Sequence, residues 1–261
     1  MKYYFNFISL KSNHLNKPMG SNEYLKRWSS NKIASIILTT FFIVSFIEIT
    51  AEFNEDKLLV WYTKPFILPL LIGYYIRRSN KINAYYLIAL LFCWIANLFF
   101  IDNTWNYILL GVACFLIYRI LVIIIVLKKV KMPDLLPLFL GSIPFVFIYA
   151  SVAIFTFSTI GDSLYLFLIQ GIFTIFLGGL SLVNYMLNSN KTNKILFVST
   201  LLFAINQFVF ILRFYYEEAN FFQAVAMVFF VWAQFLLTQY ILQTEKQRNR
   251  YLIVNKLNEV V

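Results

Sequence analysis

Two cations stand in stretches that otherwise read as lipid-soluble. Lys64 lies in WYTKPFILPLL (residues 61–71), with Pro65 directly behind it. Arg119 lies deeper, in CFLIYRILVIIIV (residues 114–126). Neutral polar groups recur at similar depth: Asn97 in CWIANLFF, Asn206 and Gln207 in LFAINQFVF, and Gln234 in FVWAQFLL. An ammonium, a guanidinium and several amides around one chamber would bind an anion, the first two by charge and the rest by hydrogen bonding. No catalytic residue stands out, because an amide cannot exchange a proton at neutral pH.

Each residue also has a plainer use. A single intramembrane amide makes an interhelical hydrogen bond worth about half to two kcal/mol. Lys64 is near enough to the end of its apolar run for its stem to reach the interface, which is harder for Arg119. Pro65 and Pro69 remove backbone donors beside Lys64, so freed carbonyls are expected there.

The elements that must carry these residues follow from composition. The chain of 261 residues is 61% apolar, 20% aromatic and only 13% charged, with mean hydropathy +0.73. A soluble domain is nearer a quarter charged. Eight apolar stretches approach the roughly 20 residues a membrane helix needs. They are 33–50, 58–76, 84–101, 105–127, 135–157, 163–187, 194–214 and 221–242. The expected fold is all-α, a polytopic bundle of eight transmembrane helices. No signal-peptide pattern precedes Ile33, so the first span is expected to be retained.

Charge distribution sets the orientation. Of the 22 Lys and Arg, 18 fall in the N-terminal segment, the C-terminal tail and alternate breaks between spans. Lys57 and Arg213 fall on the other side, leaving Lys64 and Arg119 inside. The positive-inside rule then places both termini in the cytoplasm, with a bacterial inner membrane as the expected location. Residues 1–32 form a polar cytoplasmic segment that is a candidate for disorder. Residues 33–242 form the transmembrane domain, and residues 243–261 a cytoplasmic helical tail. The net charge of +10 sits at span ends, where lipid headgroups are the natural partner, so nucleic acid is not expected. One histidine and two cysteines, both in apolar runs, exclude a multi-ligand His/Cys metal site and a disulfide framework. No cofactor is expected.

The order of these segments resembles the YhhN-like lysoplasmalogenase family, eight-helix membrane proteins. TKPFILPLL is similar to the family's K-P-x-x-M-P motif, and ALLFCWIANLFF to its S-x-x-G-D segment. GVACFLIYRILV resembles G-x-x-x-F-L-x-x-H-x-x-Y, STLLFAINQFVF resembles G-A-x-x-F-x-x-S-D, and FFVWAQFLL resembles Y-x-x-A-Q. The resemblance implies hydrolysis of the vinyl-ether bond of lysoplasmalogens by two intramembrane aspartates. This chain departs there. Asn97 and Gln207 replace the aspartates, Ala96 and Asn206 stand beside them, and Arg119 replaces the histidine, while Lys64, Pro65 and Gln234 are kept.

Without those aspartates Lys64 has no evident internal anion; Glu48 is the nearest in depth. An uncompensated cationic chamber is expensive unless something negative occupies it. The expected partner is therefore a membrane lipid of lysophospholipid type. Its phosphate would lie between Lys64 and Arg119, with Asn97, Asn206, Gln207 and Gln234 as neighbours. The alternatives are an active hydrolase with relocated carboxylates, and a transporter or membrane sensor using the tail LQTEKQRNRYLIVNKLNEVV. Ion-coupled transport would favour acidic residues in the spans, and this chain has few.

Overall fold

Short polar side chains set where several helices begin. Asp56 accepts from the Leu59 amide at 3.0 Å, Asn83 from Tyr85 at 3.1 Å, and Asn190 from Asn193 at 2.8 Å. Each satisfies a first-turn N–H that the helix itself cannot. Arg77 and Arg78 close the second helix in its last turn, where cations complement the dipole.

The computed structural model describes residues 21–102, 104–156, 164–212 and 219–259. Among these residues there are eight helices and no strand. They are α1 Ser21–Phe53, α2 Lys57–Arg78, α3 Ala84–Phe99, α4 Trp105–Leu127, α5 Leu135–Thr156, α6 Leu164–Leu187, α7 Lys191–Leu212 and α8 Ala219–Glu259. The expected all-α architecture is the one found. Six helices are long and apolar enough to cross a membrane. The other two apolar stretches, Ala84–Phe99 and Leu135–Ser151, are shorter. At 1.5 Å per residue the first of these extends about 24 Å, less than a hydrocarbon core of about 30 Å. Most of the N-terminal segment read as a candidate for disorder, residues 1–20, lies outside the described residues.

Consecutive helices pair as hairpins, α1 with α2, α3 with α4, α5 with α6 and α7 with α8, and α1 also packs on α8. Apolar side chains cover the outside as well as the core: Leu135 is 82% exposed and Ile154 78%. That inversion suits a lipid solvent, which rewards an apolar exterior. Where α5 meets α6, Gly178 and Gly179 leave room for Phe145 and Ser142 of α5, which an added methyl would strike. Small residues bring membrane helices close in this way, which is the packing use of the glycine pair.

The interior is organised around α8. Three buried tyrosines on different helices hand their hydroxyls to one stripe of it. Tyr118 of α4 donates to Gln234 at 3.1 Å, Tyr86 of α3 pairs with Thr238 at 2.8 Å, and Tyr75 of α2 donates to Glu245 at 2.7 Å. Positions 234, 238 and 245 recur at helical spacing, so one face of α8 receives all three. A buried Tyr hydroxyl is stabilised by a partner, and these contacts fix the rotation of α8 against α2, α3 and α4.

Candidate functional site

The two intramembrane cations occupy different surroundings. Lys64 lies on the second turn of α2, 2% exposed, against α1. Glu48 and Glu52 of α1, four residues apart and therefore on one face, both approach its ammonium. Glu48 Oε1 is 3.5 Å from Nζ, and Glu52 Oε1 accepts a hydrogen bond from it. Thr63 donates to Glu48, and Gln223 of α8 donates to Glu52 at 3.2 Å. The expectation that Lys64 lacks an internal anion is thus corrected. The reason is geometric: Glu52, which sequence position puts at the water boundary, turns inward beside Glu48 and is only 14% exposed.

The proline pair beside Lys64 is also accounted for. Pro69 has no N–H to give the Pro65 carbonyl one turn earlier. The Trp94 indole of α3 takes that carbonyl at 2.8 Å, so the freed acceptor ties two helices together instead of facing a chamber.

Arg119 lies 4% exposed at the centre of the bundle, with no such compensation. Its guanidinium carbon is 5.6 Å from the centroid of the Phe115 ring and 5.7 Å from that of Phe203. Tyr118, Tyr149 and Cys93 are near enough to feel its charge. Nε is buried without a hydrogen-bond partner, and among the described residues no carboxylate pairs with the group. Two cation–π contacts contribute about 1–2 kcal/mol each. Burying an ion costs several kcal/mol even after relaxation, so the rings alone do not neutralise it.

Three of the amides bond to Cys93, Tyr118 and Tyr149, the residues that feel the charge of Arg119. Asn97 donates back to the Cys93 carbonyl of its own helix at 2.8 Å. Gln234 donates to Cys93 Sγ at 2.9 Å while accepting from Tyr118. On the other flank, Gln207 accepts from Thr174 at 2.9 Å and pairs with Tyr149. Asn206 is half-buried on α7, and among the described residues no hydrogen bond joins it to either group. The six residues singled out by sequence therefore separate. Asn97, Gln207 and Gln234 bond to neighbours of Arg119 and not to Arg119 itself, Lys64 belongs to an ion cluster, and Asn206 stands apart. Thr63, Cys93, Tyr118 and Tyr149 were missed, since nothing in their types marks them out from ordinary core residues. Glu52 had a signal, its four-residue spacing from Glu48.

A protein-family model for the YhhN family matches residues 59–241. The chain belongs to the YhhN family. No curated protein and no solved structure matches it. The matched stretch holds Lys64, Asn97, Arg119, Gln207 and Gln234 but stops short of Glu48 and Glu52 on α1. In this YhhN protein the counter-charge for Lys64 thus comes from a helix that the match leaves out, so no motif within the matched stretch could have announced it.

Proposed function

We propose that this YhhN protein is a membrane protein that holds a lysophospholipid-like molecule in the bundle interior, with Arg119 as the anion anchor. The observation that carries the reading is a buried guanidinium with two aromatic rings and, among the described residues, no carboxylate. A lipid phosphate supplies the missing charge, Gln207, Gln234 and Asn97 lie within the same polar patch, and Phe115 and Phe203 offer apolar walls to a chain. Lys64 drops out of the anion site, because Glu48 and Glu52 already oppose it. Both termini face the cytoplasm in this reading, following the charge distribution.

Titrating the purified protein with lysophosphatidylethanolamine under native mass spectrometry tests the anchor. Wild type forms a saturable one-to-one complex, and Arg119→Gln weakens it at least about tenfold, the loss expected for one charge-assisted hydrogen bond. No complex, or equal binding by the variant, refutes the proposal.

A hydrolase reading is favoured by one separate observation, the buried pair Glu48 and Glu52 beside Lys64 and Thr63. Two carboxylates in different surroundings can divide the roles of acid and base that vinyl-ether cleavage requires. Release of aldehyde from a 1-alkenyl lysophospholipid, abolished by Glu48→Gln or Glu52→Gln, is its signature. The binding reading predicts no release.

A further inference from the structure

The Lys64 cluster holds more acid than base. Two carboxyl groups, Glu48 and Glu52, face one ammonium, and among the described residues no second cation pairs with them. Little water reaches any of the three, since Glu48 is 0% exposed, Lys64 2% and Glu52 14%. With both carboxylates ionised, this part of the interior carries an excess negative charge that is costly to bury.

The hydrogen bonds show which carboxyl group is the odd one. Glu52 accepts from the Lys64 ammonium and from Gln223 of α8 at 3.2 Å, two donors that suit a carboxylate. Glu48 lacks that support. Its Oε1 is buried, 3.5 Å from the ammonium, and no hydrogen bond reaches it.

Thr63 is the second, independent sign. Its Oγ1 lies 2.8 Å from the Leu59 carbonyl oxygen and also contacts Glu48 Oε2. A hydroxyl has one hydrogen and two lone pairs, so it cannot donate fully to two acceptors. With Glu48 ionised, Thr63 donates to Glu48 and forgoes Leu59. With a proton on Glu48, the acid donates to Thr63 Oγ1 and the threonine hydrogen goes to Leu59, which satisfies both contacts.

We infer that Glu48, Thr63, Lys64 and Glu52 form a proton-binding site, in which Glu48 holds one exchangeable proton at neutral pH. The cluster is then an ammonium, a carboxylate and a carboxylic acid, with no net charge. The groups facing Glu48 are Glu52 on its own helix and Thr63 and Lys64 from α2, while α8 presents the neutral Gln223. Glu55 and Asp56, in the turn after α1, are engaged elsewhere, with Asn220 and the Leu59 amide, and Lys57 is exposed. Glu52, the most exposed member, is the route by which the proton passes to and from water beyond the α1–α2 turn. On release Glu48 becomes a carboxylate and draws the Thr63 hydrogen to itself. The site is separate from Arg119, and it stands whether or not the cluster cleaves a lipid.

Infrared spectroscopy of the full-length protein in lipid nanodiscs reads the acid directly, through a C=O stretch that a carboxylate lacks. Wild type at neutral pH shows a carboxylic acid band that shifts on exchange into D2O and disappears as the pH is raised. Glu48→Gln abolishes that band. Thr63→Val keeps it but moves it to higher frequency, because the acid has lost its acceptor. No acid band in wild type, a band that persists in Glu48→Gln, or one that Thr63→Val leaves unmoved overturns the site.

Discussion

The Lys64 end and the Arg119 centre of this bundle begin from the same problem and solve it differently. At Lys64 the protein supplies the counter-charge itself: two carboxylates face one ammonium, and a threonine and a glutamine donate to those carboxylates. At Arg119 it supplies aromatic faces and amides but no carboxylate among the described residues. Hydropathy treats the two cations alike. Their difference teaches that a buried charge points to a ligand only when the surrounding helices leave it unopposed.

The comparison breaks most visibly through the carboxylates. Replacing both Glu48 and Glu52 with Gln strands Lys64 in the bundle, and is expected to cost about 3–5 kcal/mol of unfolding free energy. Adding Lys64→Met to that background restores most of it, because no charge is then left to satisfy. Reversible unfolding in mixed micelles measures both steps. An additive third substitution would show the cluster to be uncoupled.

A smaller effect sharpens the Lys64 side. Trp94→Phe removes the donor that takes the Pro65 carbonyl and costs about 1 kcal/mol of stability. In a Pro69→Ala background the residue-69 amide can take that carbonyl, and the same change costs measurably less. An equal cost in both backgrounds would mean that Trp94 acts by packing alone.

Much of the architecture was legible in the chain. The fourth span, Trp105–Leu127, is located to the residue, and α2, α5 and α6 agree within two residues at each end. Helix ends marked by polar residues were harder. α1 begins at Ser21, well before Ile33, whereas α8 runs on past Leu242 to Glu259 through the tail read as helical. Hydropathy marks the lipid-soluble part of a helix, whereas backbone hydrogen bonding continues through polar side chains. Site residues were legible as types and depths, not as neighbours. Which face of α1 carries Glu52, and that Asn97 bonds its own helix, depend on helix rotation that spacing alone does not fix. The arrangement around Arg119 rests on Phe203 from α7 and Tyr149 from α5, brought together only by tertiary packing.

The unequal fate of the two cations is tested most directly by unfolding Lys64→Met and Arg119→Met side by side in lipid-free detergent micelles. Lys64→Met leaves two carboxylates without their cation and lowers the unfolding free energy by about 3–5 kcal/mol. Arg119→Met removes a charge that no carboxylate among the described residues opposes, and leaves that free energy unchanged or higher. Equal losses from the two substitutions, or a larger loss from Arg119→Met, would contradict the account.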